Sequence, residues 1–461
     1  MVFSSFEFRI SNFDFAEKGK GAMSKLKCVI FVLVLFASCI ADEQSVATPP
    51  AADWRCWLGN DRTGVSPAKN LINEWPKEGP EIIWKVPTGI AWSNPIIYDN
   101  LLYITSMEDK YVTESVRCLE ADTGKEVWKY NYTADYFTPN QAKQEKMEYP
   151  EGGFRGAPTA TEKYLYTIGA KGHFFCFDRL TGTVIWEKNL DKEYPTSSRA
   201  WKGWTISPLV EDGKVIVNLG PDPKKEIQRC AAFNAETGKE EWFYSNPVKI
   251  VTTVQISQTP QVTTYDGEKY ILYSPYCKLS ALRISDGKEL FSCQLSAGNN
   301  EIATPALFGD RVLVCPFERE EIMLEIKKVD GQYNVSEVWK TKASPAGHAG
   351  YMPYNGNLFG FASFFPLVCL SQDKGEIKWA KYGFKIDSSL MIADGKLFIR
   401  SGKDLIIAEA TGTGYKELSK YKFDVEAGPR DYIGWNHPII AHGKIYVRFS
   451  KEMYCINVTK K

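Results

Sequence analysis

The stretch Cys118-Leu119-Glu120-Ala121-Asp122-Thr123-Gly124-Lys125-Glu126-Val127-Trp128 decides the fold, because it recurs. It returns as Cys176-Phe177-Asp178-Arg179-Leu180-Thr181-Gly182-Thr183-Val184-Ile185-Trp186 and as Ala232-Phe233-Asn234-Ala235-Glu236-Thr237-Gly238-Lys239-Glu240-Glu241-Trp242. Weaker copies end at Phe291, Trp339 and Trp379. Each copy reads as a strand, a tight turn and a second strand. The Gly supplies the positive φ of the turn, and the aromatic residue stands at a fixed offset where the next strand packs.

A second signature precedes each copy. An apolar strand entered through Pro is followed by a polar turn and another apolar strand, as in Pro208-Leu209-Val210-Glu211-Asp212-Gly213-Lys214-Val215-Ile216-Val217. The same opening is read at Pro95, Pro158, Pro260, Pro305, Pro353 and Pro438. The pairs Asp212-Gly213, Asp266-Gly267, Asn355-Gly356, Asp394-Gly395 and His442-Gly443 are hairpin turns by composition. Together the two signatures make a repeat of about fifty residues with four strands per unit, the mark of a propeller. The seventh unit, near Leu390, lacks both Pro and Trp, and the eighth supplies three strands. The early segment Glu81-Ile82-Ile83-Trp84-Lys85-Val86 is the expected fourth. The expectation is therefore an all-β, eight-bladed propeller of four-stranded antiparallel blades, closed by the N-terminal strand completing the last blade.

Outside the repeats, Lys25 and Lys27 precede an apolar run and then Leu35-Phe36-Ala37-Ser38-Cys39. That is a charged region, a short apolar region and small residues, as in an export signal. Its ending resembles a bacterial lipoprotein signal with Cys39 as the lipidated residue. Residues 1–22 do not suit a signal, and Met23 reads as the natural start. The expected organisation is an extension plus signal at 1–39, a tether at 40–52, and one propeller domain at 53–461. The chain carries 56 Lys+Arg against 56 Asp+Glu, which argues against nucleic acid as a partner. Its 13% aromatic content excludes a disordered class.

The recurring Ala-x-x-Thr-Gly-x-x-x-Trp pattern resembles the pyrroloquinoline-quinone-like β-propeller repeat family, over roughly residues 53–458. The opening Trp54-Arg55-Cys56-Trp57-Leu58-Gly59-Asn60-Asp61-Arg62-Thr63-Gly64 is similar to a lead-in of exported bacterial members, and Asp61 in it reads as part of a turn. The resemblance implies that Trp84, Trp128, Trp186, Trp242, Trp339 and Trp379 dock each blade on its neighbour. The family includes quinoprotein dehydrogenases, which hold pyrroloquinoline quinone and calcium at the propeller centre. Those enzymes use an adjacent-cysteine disulfide, which is absent here, as is a Cys-x-x-Cys-His haem motif. Of the eleven cysteines, Cys28 and Cys39 belong to the signal and the other nine read as small buried hydrophobes.

No catalytic constellation and no metal cluster stand out. Residues just before the blade openings are expected to line the axial funnel: Trp92, Arg155, Trp204, Gln258, Glu301, His348, Asp387 and Trp435 are the ligand-binding candidates. The functional expectation is a monomeric, non-catalytic binding scaffold without a cofactor, held to the membrane only by its lipid anchor. It would sit in the periplasm or on the outer membrane of a Gram-negative-type bacterium, with an envelope protein partner. In its repeat it is similar to the propeller lipoprotein of the outer-membrane barrel-assembly machinery. Two alternatives stand beside this: a quinone-dependent oxidoreductase, and a carbohydrate or peptide binder at the funnel.

Overall fold

The computed structural model describes residues 53–108, 112–134, 153–195, 203–222, 224–247, 258–274, 278–295, 303–315, 320–342, 346–362, 366–426 and 436–461, with the backbone alone at 346–349. The signal and tether, with Cys39, lie outside the described residues.

Eight separate sheets are arranged as a propeller. Blade 1 comprises Ile96–Tyr98, Leu101–Glu108, Thr113–Glu120 and Glu126–Thr133. Blades 2 to 6 open at Thr159, Leu209, Gln261, Ala306 and Ala346, and each adds strands in sequence order. Blade 7 comprises Ser389–Ala393, Lys396–Ser401, Asp404–Glu409 and Glu417–Lys422, so the unit without Pro or Trp forms completely.

The expected closed ring of four-stranded antiparallel blades needs correction. Blade 7 has a fifth strand, Val65–Ser66, which runs parallel to Ser389–Ala393 with Val65 opposite Ile392. Among the described residues no sheet is hydrogen-bonded shut around the ring: each blade is its own sheet, and side-chain packing and isolated hydrogen bonds join one to the next. Within blade 8, Ile82–Pro87 pairs antiparallel with Glu452–Asn457, outside Lys444–Phe449 and Ile439–Ala441. Pro353 is also misplaced by the opening rule. It is the penultimate residue of Ala346–Tyr354, not the residue before it. An innermost strand has one free edge, where a missing N–H costs no ladder bond.

The joints between blades repeat one contact. Each docking indole N–H donates to a turn carbonyl of the following blade: Trp84 to Ala121, Trp128 to Arg179, Trp186 to Ala235, Trp242 to Ile284, Trp339 to Gln372 and Trp379 to Thr411, all at 2.8–3.0 Å. For Trp84, Trp128, Trp186, Trp242 and Trp339 the indole face also lies on the Gly of the same turn, so a Cβ added at Gly238 would stand 2.7 Å from Trp186 Cδ2. Where blade 7 has no such Trp, Trp75 of the N-terminal segment donates its Nε1 hydrogen to Leu405 O at 3.1 Å.

Residues 54–66 form a strap across the innermost strands. Trp54 bridges Ile97 of blade 1, Arg55 O accepts from Ala160 N of blade 2, and Arg62 Nη2 donates to Val210 O of blade 3 at 3.4 Å. Gly64 lies against Met352 of blade 6, Val65 pairs in blade 7, and Ser66 Oγ donates to Ile440 O of blade 8 at 2.9 Å.

The docking contact sets an expected outcome. Gly213 (φ +72°) and Gly238 (φ +67°) share the same backbone strain, but only Gly238 faces an indole. Gly213→Ala should cost about 1 kcal/mol. Gly238→Ala should cost roughly 1–3 kcal/mol more, because the indole must move. Denaturant midpoints of the two variants measure the difference.

Candidate functional site

The residues that enter the innermost strands of blades 7, 8 and 1 bring several polar side chains into the interior. Arg400 and Arg448 occupy the same repeat position, five residues after Gly395 and Gly443. Both lie in second strands among apolar neighbours, and they are 0% and 1% exposed. Arg400 is compensated: its Nη1 meets Asp387 Oδ2 at 3.1 Å, its Nη2 donates to Asp387 O at 2.6 Å, and its Nε donates to Asn436 O at 3.2 Å.

Arg448 is different. Its Nη2 donates to Thr105 O at 3.0 Å, while Nε and Nη1 are buried with no protein partner. No carboxylate among the described residues pairs with it. Burial, with Arg117 adding repulsion, pushes its pKa down to about 9. Nearby on the same framework, the Asn436 amide is buried with both Nδ2 and Oδ1 unpartnered, and Asn94 Nδ2 is likewise unpartnered. Asn94 Oδ1 accepts from His437 N at 2.9 Å, which links the entry segments of blades 1 and 8. Ser93 Oγ lies 2.5 Å from Thr105 Oγ1. A buried guanidinium without a counter-charge in blade 8, with unused amides on the entry segments of blades 1 and 8, makes this part of the interior rich in unspent hydrogen-bonding groups.

His437 is neutral here, and burial pulls its pKa down to about 4. Its Nδ1 sits 2.7 Å from Leu390 O, a contact that needs the hydrogen on Nδ1. Trp57 of the strap meets the imidazole edge-on at 5.3 Å, so the strap reaches this end of the interior.

The eight funnel candidates do not share one environment. Trp92 and Arg155 come together, with the guanidinium carbon 5.2 Å from the indole centroid. Asp387 is fully buried on Arg400. Gln258 is used as a bridge: its Oε1 accepts from Ser274 N at 2.8 Å and its Nε2 donates to Ala303 O at 3.4 Å. Trp204 is 1% exposed in the core between blades 2 and 3, where it offers no face to a sugar. Glu301 and Trp435 lie outside the described residues, as does the side chain of His348. Sequence reasoning passed over Arg400, Arg448 and Asn94, although two arginines at one repeat position in adjacent blades is a readable signal. Cys118, Cys176, Cys369 and Cys455 are free and fully buried, and burial pushes each thiol up to about 12.

The blades and their docking residues define a propeller of pyrroloquinoline-quinone-like repeats. The family model described as outer membrane protein assembly factor BamB matches residues 112–381, and the chain belongs to that family. Among curated proteins it is similar to the quinohemoprotein alcohol dehydrogenase ADH-IIG of Pseudomonas putida, 26% identical over 171 residues. That match spans 34% of this chain and only 22% of the enzyme's length. Solved structures share the fold. Quinohemoprotein alcohol dehydrogenase from Comamonas testosteroni aligns over 91% of this chain and 82% of its own, at a TM-score of 0.64 and 12% identity. BamB from Moraxella catarrhalis aligns over 82% of this chain and 99% of its own, at 0.54 and 12%.

These findings correct the expected function. The reading as a non-catalytic scaffold, with no enzyme activity and no cofactor, is overturned by a sequence match to a catalytic quinohemoprotein dehydrogenase.

His437 sets a pH dependence. Its folded pKa lies below the usual 6.5, so the unfolded chain takes up the proton first as pH falls. Its contribution is fully present above about pH 6.5 and is lost as pH falls toward 4. Urea unfolding between pH 7 and pH 4 should show a loss of roughly 3 kcal/mol that His437→Phe removes.

Proposed function

We propose that this chain is a quinone-dependent oxidoreductase that holds pyrroloquinoline quinone at the donor-rich end of the propeller axis. The observation that carries the reading is the unpaired, buried Arg448, together with the unused amides of Asn436 and Asn94 on the entry segments of blades 8 and 1. Pyrroloquinoline quinone is a planar tricarboxylic acid with two adjacent carbonyls, so it presents acceptors to this surplus of donors. The sequence match to a quinohemoprotein dehydrogenase supports the same class.

When bound, the quinone supplies two-electron oxidation of a substrate such as an alcohol. The chain's own residues do the positioning. Arg448 would neutralise a carboxylate, and the Asn436 amide would fix the ring by donating from Nδ2 and accepting at Oδ1. Arg400, locked on Asp387, holds the Asn436 backbone through its carbonyl. Trp92 and Arg155 offer a stacked face at the funnel entry. The described residues contain no group of three His, Cys, Asp or Glu able to hold a metal, so no residue is assigned to calcium.

Export, lipid attachment at Cys39, a periplasmic or outer-membrane location and an envelope protein partner belong to the same proposal. They rest on the signal-like start and on a family described as an assembly factor. Labelled palmitate should enter the native protein and be lost in Cys39→Ala.

Titration of the purified protein with the quinone and calcium, read by absorbance and by dye-linked alcohol oxidation, tests the central proposal. Arg448→Met should abolish binding and also raise the unfolding midpoint of the free protein by the equivalent of about 1–3 kcal/mol, because a buried uncompensated charge is removed. Absence of any quinone binding by the parent protein would remove the reading.

A further inference from the structure

The strap contacts blades 1, 2 and 3 on one side and blades 6, 7 and 8 on the other. Between its turn and the innermost strands of blades 4, 5 and 6 lies a cavity of about 190 Å³. Its walls include Asp61 and Arg62 from the strap, Gln261 from blade 4, Thr304 before blade 5, and Tyr351 and Met352 from blade 6.

We propose that this cavity binds a small α-amino-acid-like zwitterion. Three observations carry it. First, Gln261 is 3% exposed, and its Nε2 has no protein partner although the residue lines the cavity. A buried amide donor left unused is costly unless something accepts from it. Second, Arg62 is only loosely engaged. It reaches Val210 O at 3.4 Å and Glu211 Oε2 at 3.6 Å, while Lys269 holds Glu211 Oε1 at 2.6 Å. The guanidinium therefore retains donors for a carboxylate, with Gln261 and the Thr304 hydroxyl beside it. Third, the neighbouring Asp61 is exposed and forms no ion pair among the described residues, so a carboxylate stands at the rim for an ammonium group. The two charges adjoin in sequence, which suits a ligand whose own charges are a few bonds apart.

Volume sets the size. At about 190 Å³ the cavity falls below the usual 300–1,000 Å³ of pockets for drug-sized ligands, so a compact ligand suits it. That matches glycine, alanine or serine. The cavity lining shares no residue with the proposed cofactor site, so this proposal does not rest on that one.

The experiment is calorimetric titration of the full chain with serine, acetate and methylamine, each up to about 10 mM. Serine should bind, with acetate and methylamine each at least about tenfold weaker, since each satisfies one charge only. Gln261→Leu should weaken serine at least about tenfold, with circular dichroism reporting an intact fold. Asp61→Asn, a surface change, should weaken serine while leaving acetate unchanged. Absence of serine binding, acetate binding as tightly as serine, or serine binding unchanged in both folded variants would overturn the proposal.

Discussion

The indole laid on a neighbour's turn glycine, with its N–H on that turn's carbonyl, is the contact on which the propeller depends. It uses both parts of tryptophan at once: an apolar face that excludes water and a polar edge that satisfies a backbone oxygen. Because no described sheet runs on into the next, these contacts and the apolar layers between blades set the ring. The glycine is required twice, for its positive φ and for the absence of a Cβ under the ring. This explains why Thr-Gly and Trp travel together along the chain.

That pairing is also why the fold could be read from sequence. Turn and indole are separated by four residues in Gly124 to Trp128, so the signal is local and repeats. The strap was not legible. Its partners, Ile97, Ala160, Val210, Met352, Ile392 and Ile440, stand in six blades and share no motif. Pro353 misled because a proline is equally content at a strand's start and along its free edge.

The functional residues were harder. The rule that residues before a blade opening line the axis gives a position along the backbone, but not the direction of a side chain. One step along an extended chain turns a residue from the axis into the core. Trp204 and Gln258 turned inward to packing and bridging, whereas Asn94 and Asn436 present unused amides. Arg448 was hidden among apolar strand residues, where its chemistry is least expected and most consequential. Unspent polarity includes the Arg448, Asn436 and Asn94 groups and Gln261 in the pocket beside the strap, and the strap's Trp57 reaches the former groups through His437.

The strap bears on how the chain reaches its native state. Ser66 bonds to Ile440, 374 residues later, and Ile82–Pro87 waits for Glu452–Asn457. Two early segments, Val65–Ser66 and Ile82–Pro87, therefore find their strand partners last. Blades 1 to 6 can assemble from neighbours in sequence, and Trp54 can meet Ile97 early, but the strap's end at Val65–Ser66 must wait until the final two blades have emerged. Such distant pairings slow folding, because loop-closure entropy is lost before any contact compensates for it. A chain ordered this way is suited to crossing a membrane unfolded and closing only once its whole length has arrived.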